Sequence, residues 1–147
     1  MRGQLAVSFM PGRQGRRDSV DRVKRFYDHT ADSEARRLVR DAYHRIEFDV
    51  TMHYLRKHLP GTGHLLDVGG GSGRYAIALA ELGYQVTLVD VSRELLRIAR
   101  REIERSRMTQ VIAVRVGDVR DLTGFEDGLF DGVLALGPMY HLTDEGG

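Results

Sequence analysis

A run of glycines between two short apolar segments limits the fold more than any other part of this sequence. It lies in HLLDVGGGSGRYAIALAELGYQVTLVD, residues 64–90. The apolar residues before the glycines predict a buried parallel strand, and those that end at Asp90 predict a second one. Residues 74–82 between them predict a helix, and Gly83 lies where a C-cap glycine is expected. The order predicts a β-α-β unit with helix N–H groups and an acidic residue at one rim of a sheet.

The segments after Asp90 continue this alternation of strands and helices. Ser92 is expected to cap the next helix. Alternation of this kind predicts an α/β fold, in which helices cover a parallel sheet. The usual strand order of such a sheet, 3-2-1-4, is expected here and places the fourth strand beside the glycine loop. The further predicted elements are a helix over 93–104, a strand over 111–116, a loop over 119–128 and a strand over 130–136.

The N-terminal part of the chain divides into two unlike segments. Residues 1–17 contain four arginines, three glycines and no acidic residue, so we expect a disordered basic tail. Residues 18–60 predict helices, a short amphipathic one over 19–29 and a longer one over 33–59. Asp49 could cap a second helix, which would place a kink there. The remaining residues, 61–147, are expected to form a partial α/β domain.

Composition excludes several classes of protein. There is no cysteine, which is compatible with a cytoplasmic protein and removes thiolate metal ligands. The three histidines at 44, 53 and 58 are spread around a helix, so no metal site is predicted. No apolar run approaches the roughly 18 residues of a membrane span. The net charge of +1 does not favour a nucleic-acid partner. We therefore expect a cytoplasmic protein without membrane, metal or nucleic-acid binding.

The spacing of the glycines argues against a nicotinamide or flavin site. A dinucleotide fingerprint requires G-x-G-x-x-G, and Arg74 occupies the position of its third glycine. The chain instead has D-x-G-x-G-x-G, formed by Asp67, Gly69, Gly71 and Gly73.

Acidic residues follow the predicted strands at the same rim as the glycines. Asp90 ends the second strand, where a carboxylate can accept hydrogen bonds from both hydroxyls of an adenosine ribose. Asp118 follows the third strand and can accept from the exocyclic amine of adenine, while the Val119 N–H donates to a ring nitrogen. Taken alone, each aspartate is better explained by a turn or a helix cap. Their occurrence at consecutive strand ends predicts a site for an adenosine-containing cofactor.

With these motifs the sequence resembles the N-terminal part of class I S-adenosylmethionine-dependent methyltransferases. Residues 65–90 resemble that family's first two motifs, VRVGDVRDL its third-strand motif and FDGVLALGPMYHL its fourth-strand motif. The resemblance is closest to the small-molecule branch that includes ubiquinone and menaquinone methyltransferases. It implies a Rossmann-like fold, S-adenosylmethionine as cofactor, and methyl transfer to an oxygen, nitrogen or carbon atom of a small molecule.

The resemblance also implies roles for individual residues. The glycines and Asp67 would lie along the methionine part of the cofactor, Asp90 at its ribose and Asp118 at its adenine. Tyr27 resembles a tyrosine of an N-terminal lid, which would make residues 18–60 a helical lid, although ordinary helix packing explains this aromatic residue equally well. The implied cofactor contacts are Tyr27, Asp67, Gly69, Gly71, Gly73, Asp90, Val91, Asp118, Val119 and Leu136.

The implied reaction is an in-line transfer of a methyl group from a sulfonium. Because the sulfonium is already activated, the enzyme would contribute mainly alignment and exclusion of water. Tyr140 and His141 are the nearest candidates for a general base. We favour a role for both in shaping the pocket, because the transfer needs no obligatory base.

A nucleic-acid substrate is not expected. Residues 137–140, GPMY, superficially resemble the (Asp/Asn)-Pro-Pro-Tyr motif of amino-methylating nucleic-acid methyltransferases. Gly137 replaces the side chain that would hold the amino group of a base, and Met139 replaces the second proline. No basic face is expected outside the tail.

The resemblance ends after the fourth of the family's seven strands. Strand 4 would then lie at an edge, where an unpaired strand invites pairing. We consider three explanations: a fragment or truncated chain, a homodimer through the edge of strand 4, or a cofactor-binding half without turnover. The alternative to a methyltransferase is therefore a catalytically inactive module that binds cofactor or associates with itself.

Overall fold

A computed structural model of the protein describes residues 13–40 and 42–137. Four strands form its sheet: β1 at His64–Val68, β2 at Gln85–Asp90, β3 at Val111–Val116 and β4 at Gly132–Leu134. All pairings are parallel, and the order across the sheet is β3-β2-β1-β4. The predicted α/β fold with the strand order 3-2-1-4 is confirmed.

Four helices accompany the sheet: α1 at Arg13–Arg40, α2 at Ala42–His58, α3 at Arg74–Glu81 and α4 at Arg93–Ser106. The predicted cap of α4 is confirmed, because Ser92 Oγ accepts a hydrogen bond from the Leu95 N–H at 3.2 Å. Gly83 follows α3 with φ of +96°, which is the left-handed conformation expected after a helix end. Among the described residues, no helix combines the length and apolarity needed to cross a membrane.

The two faces of the sheet are covered differently. On one face, Leu65, Val86 and Leu88 pack with apolar residues of α2, α3 and α4 in the main core. On the other face, a smaller cluster of Leu66 and Val68 with Val89 is covered by side chains from residues 119–130. A loop therefore covers the second face in the described part of the chain.

The predicted helix break between residues 29 and 33 was wrong. α1 continues through this segment to Arg40. Thr30 is accommodated in the helix because its Oγ1 donates a hydrogen bond to the Phe26 carbonyl, one turn earlier, at 2.9 Å. Ala31 is buried by packing of the helix. α1 also begins at Arg13, which makes residues 13–17 of the expected tail helical. The rest of that tail lies outside the described residues.

The predicted kink or cap at Asp49 was also wrong. Asp49 lies inside α2 and is exposed. The buried face of α2 is formed by Met52 with Phe48 and Leu55, whereas Ile46 is 61% and Val50 50% exposed. Periodicity thus identified the helix without identifying the face that packs on the sheet.

Strand β4 is shorter than the predicted span of residues 130–136. Asp131 precedes it and exchanges two hydrogen bonds with the backbone of His64, from the His64 N–H to Asp131 Oδ2 at 2.7 Å and from the Asp131 N–H to the His64 carbonyl at 2.8 Å. These contacts fix the start of β4 beside β1.

Candidate functional site

A cavity of about 370 Å³ opens at the carboxyl ends of the four strands. Parallel strands end at one rim of the sheet, so the loops that follow them meet there. Residues after β1, β2, β3 and β4 form the floor of the cavity, and residues of α1 and α2 also line it. The volume is in the range of small-molecule and cofactor sites, about 300–1,000 Å³.

The glycine loop after β1 forms the centre of the floor. The Gly69 N–H donates to the Val89 carbonyl at 2.7 Å, which ties the loop to the end of β2. Gly71 has φ of +57° and donates its N–H to Asp90 Oδ2 at 2.9 Å. The left-handed backbone at Gly71 lets the loop turn and reach Asp90.

Asp67 lies beneath this loop and is 1% exposed. Its Oδ2 is buried without a hydrogen-bond partner among the described residues. Burial, and secondarily the charge of Asp90, raises the pKa of Asp67 from 3.8 to about 7. A buried carboxyl oxygen without a partner favours a cationic or hydrogen-bond-donating ligand above it.

Asp90 is held at the end of β2 by two backbone donors. Its Oδ1 accepts from the Ser92 N–H at 2.8 Å and its Oδ2 from the Gly71 N–H at 2.9 Å. Burial raises the pKa of Asp90, and backbone hydrogen bonds from Ser92, Gly71 and Val91 oppose that rise. Each oxygen keeps further acceptor capacity, so the carboxylate can still bind two hydroxyl groups.

Asp118, at the third strand end, has a partner that the sequence did not indicate. Arg120 binds its carboxylate with two nitrogens, Nη2 at 2.8 Å from Oδ2 and Nε at 3.2 Å from Oδ1. The Arg120 N–H also donates to Oδ1 at 3.0 Å. A ligand amine at Asp118 would therefore share the carboxylate with a guanidinium.

The structure brings nine of the ten predicted cofactor contacts to this cavity. The exception is Gly73, where an added Cβ would lie 3.2 Å from both Ala99 Cβ and Leu88 Cδ2. Gly73 thus allows α3 to pack closely on α4 and β2. Tyr140 and His141 lie outside the described residues. The lining residues are Tyr27, Asp67, Gly69, Gly71, Asp90, Val91, Asp118, Val119 and Leu136.

Sequence reasoning missed several residues of the cavity wall. Arg74 follows the glycine loop directly, and this position in the sequence could have predicted that it lies on the cavity wall. Glu34, Glu47 and Thr51 belong to α1 and α2, and only tertiary packing places them here. Among the described lining residues, five are acidic and two are arginines. This excess of acidic groups favours a ligand with a positive charge.

The comparisons with known proteins agree with this geometry. A family profile described as "Methyltransferase domain" matches residues 65–146, which include the glycine loop and the residues after β2 and β3. The match therefore covers the floor of the cavity and more than half of the chain.

Curated relatives match over a similar segment. The ubiquinone biosynthesis O-methyltransferase of Xanthomonas campestris is 38% identical over 89 residues, which are 60% of this chain and 36% of that protein. YqeM of Bacillus subtilis, a proposed methyltransferase, is 38% identical over 87 residues, 59% of this chain and 34% of that protein. The chain thus spans about a third of the length of these relatives.

Solved structures share the fold. The PH0226 protein of Pyrococcus horikoshii matches with a TM-score of 0.56 and 32% identity, over 63% of this chain and 42% of that one. A proposed S-adenosyl-L-methionine-dependent methyltransferase of Methanococcus maripaludis has a TM-score of 0.58 and 18% identity. Its alignment covers 97% of this chain and 58% of that one, so the likeness of fold extends beyond the sheet.

Proposed function

Because this chain belongs to the methyltransferase-domain family, we propose that it binds S-adenosylmethionine in the cavity at the strand ends and directs its methyl group to a small molecule. The observation that carries this proposal is the pair of buried carboxylates, Asp67 and Asp90, on the cavity floor. One has an oxygen without a partner, and the other is held in place by backbone donors.

The residues of the cavity fit this cofactor in charge and in hydrogen bonding. Asp67 would lie near the amino group of the methionine part, because it is an acidic side chain beneath the glycine loop at the cavity. Asp90 would accept from the ribose hydroxyls with its remaining lone pairs. Asp118 and Val119 would lie at the adenine. The acidic wall suits a ligand that carries a sulfonium and an ammonium group.

The chain's own contribution would be binding, orientation and exclusion of water. A bound sulfonium supplies an activated methyl group, so the protein needs to align the acceptor in line with it. Tyr27 from α1 and Leu136 from the segment after β4 both line the cavity. We propose that they restrict access of water to the transferred group.

The proposed acceptor is a small molecule that reacts at oxygen, nitrogen or carbon. The Xanthomonas campestris relative is named for O-methyl transfer in ubiquinone biosynthesis, which supports this class of acceptor. A catalytically inactive module that binds the cofactor remains the alternative to be tested against it.

We propose that residues 18–60 act as a lid over this site. α1 packs against α4, and both N-terminal helices reach the cavity wall, through Tyr27, Glu34, Glu47 and Thr51.

The division of the chain at residues 17 and 60 stays a prediction, as does a cytoplasmic location. Pairing of two copies through the edge of β4, where Val133 is 59% exposed, also stays a prediction, which the mass of the protein in solution would test.

The proposal is tested by titration calorimetry of the protein with S-adenosylmethionine and S-adenosylhomocysteine, with NAD as the control ligand. We expect dissociation constants of about micromolar for the first two ligands and no binding of NAD. Asp90→Ala should weaken binding at least about tenfold, because it removes a charged acceptor from a buried site. Asp121→Ala is the matched control, since this aspartate is exposed and bonds only locally to Thr123.

Failure of the folded wild-type protein to bind either adenosyl ligand would refute the proposed site. If the protein binds the cofactor, mass spectrometry of small-molecule acceptors incubated with both distinguishes a methyltransferase from an inactive binding module. Methyl incorporation supports an enzyme, whereas binding without transfer to any acceptor supports the inactive module.

A further inference from the structure

Arg74 forms a fixed cationic part of the cavity wall. It is the first residue of α3, directly after the glycine loop. Its Cζ lies 4.7 Å from the centroid of the Phe48 ring, and Phe48 stacks on Tyr75 with ring centroids 5.1 Å apart. Because Phe48 is packed against the main core, this contact holds the guanidinium in one place.

Among the described residues, no side chain neutralises the charge of Arg74. No ion pair to Arg74 is present among the described side chains, and its Nε is buried without an acceptor. Arg120, a second arginine on the wall, is bound by the Asp118 carboxylate. Because Arg74 lines the cavity without an ionic partner, its guanidinium can bind an anionic group of a ligand there.

The backbone beside Arg74 offers donors to the same ligand. The N-terminus of α3 has no side-chain cap, because its cap residue is Gly73, and its first turn contains no acidic residue. The first N–H groups of a helix lack intrahelical acceptors and carry partial positive charge. Arg74 and the N-terminus of α3 together form a site for an anion. A planar carboxylate suits this site, because a guanidinium can donate two parallel hydrogen bonds to it.

The order of the strands places Arg74 at one end of the proposed cofactor. Asp118 follows β3, Asp90 follows β2, and the glycine loop with Arg74 follows β1. If adenine lies at Asp118 and ribose at Asp90, the methionine part extends toward Arg74. This step rests on the proposed function.

We propose that Arg74 binds the carboxylate of the methionine part of the cofactor. Asp67 then faces the ammonium group of the same amino acid, so the two side chains match its opposite charges. The geometry makes Arg74 a determinant of cofactor specificity, which distinguishes ligands that carry a carboxylate from those that lack it.

The test compares S-adenosylmethionine with decarboxylated S-adenosylmethionine, which keeps the sulfonium and the ammonium and lacks only the carboxylate. Arg74→Met keeps an unbranched side chain over Phe48 and removes the charged fork. We expect this variant to lose about tenfold to a hundredfold in affinity for S-adenosylmethionine. Its affinity for the decarboxylated ligand should stay within about threefold of the wild-type value.

Two further variants complete the test. Arg105→Met controls for loss of one positive charge, since Arg105 is exposed on α4 and pairs there with Glu102. Arg74→Lys keeps the charge without the fork, and we expect a smaller loss that is again confined to the ligand with a carboxylate. Arg74→Lys also tests the proposal if Arg74→Met does not fold, which thermal unfolding would show.

Equal losses for both ligands would overturn the proposal, because they would show that Arg74 only supports the fold of the loop. Unchanged affinity for both ligands would also overturn it, and would direct attention to a carboxylate on the methyl acceptor. A wild-type protein that binds neither ligand is a different result, since it refutes the proposed function itself.

Discussion

Gly70 and Asp67 are packed so closely that the glycine is required for space. A Cβ on Gly70 would collide with Asp67 Oδ2 and with Leu88 Cδ1. Asp67 and Leu88 both belong to central strands and are buried, so neither can move aside without disturbing the core. The sequence drew attention to Gly69, Gly71 and Gly73, whereas Gly70 is the glycine that permits burial of the acidic side chain.

We expect Gly70→Ala to destabilise the protein by about 1–3 kcal/mol, the usual cost of overpacking a filled site. Gly61→Ala is the matched control, because a Cβ there meets no atom within 4 Å. It should change the free energy of unfolding by no more than about 1 kcal/mol in either direction. Urea unfolding of both variants measures the difference, and equal effects would show that Gly70 is not sterically required.

At the scale of elements, α1 is fixed to the sheet domain by Asp28. Its Oδ1 accepts a hydrogen bond from Ser92 Oγ at 2.6 Å and another from the Glu94 N–H at 3.2 Å. Ser92 in turn accepts from the Leu95 N–H. The first turn of α4 is therefore capped by its own serine and by a carboxylate from α1, next to Tyr27 on the cavity wall.

Loss of this contact should loosen α1 while the sheet remains formed. For Asp28→Ala we expect the free energy of unfolding to fall by about 1–2 kcal/mol. Amide hydrogen exchange should become faster than in the wild type, and this increase should be larger in α1 than in β1 and β2. Hydrogen exchange with mass spectrometry measures both regions in one experiment. Asp21→Ala, at an exposed position of α1, is the control. Unchanged exchange in α1 of Asp28→Ala would show that apolar packing alone holds the helix.

At the scale of the whole molecule, stability should depend on pH through Asp67. Its pKa is 3.8 in the unfolded chain and about 7 in the folded protein, so the folded state holds a proton that the unfolded state has released. The contribution of Asp67 to the free energy of unfolding is therefore most favourable below about pH 4, and the free energy of unfolding falls as the pH rises from 4 toward 7. The raised pKa of Asp90 acts in the same direction.

The measurement is urea unfolding of the wild-type protein and Asp67→Asn at pH 5 and pH 7.5. The neutral amide does not titrate, so the variant should lose less stability than the wild type as the pH rises, by an amount of the order of a few kcal/mol. Asp127→Asn, which changes an exposed aspartate, should behave as the wild type does. Identical pH dependence in Asp67→Asn and the wild type would contradict the prediction.

Much of the sheet domain was predictable, because its signals are local. Apolar runs, the glycine loop and Ser92 each lie within a few residues of the structure they specify, and the rim of the cavity follows from the strand ends. One error is itself local, because Arg120 lies only two positions from the Asp118 that it binds. The others arise where distant contacts decide. The sequence does not show that α2 packs through Met52 while Ile46 faces solvent. Nor does local pattern reveal that Arg74 lies over Phe48.

The bond between Asp28 and Ser92 joins residues that are 64 positions apart. During synthesis, α1 and α2 are made before β2 and the start of α4. A nascent chain that ends before Ser92 offers Asp28 no partner, so the N-terminal helices cannot take up their final place until the second strand has been made. The helices that line the cavity are therefore made before the partner that fixes α1 to the sheet domain.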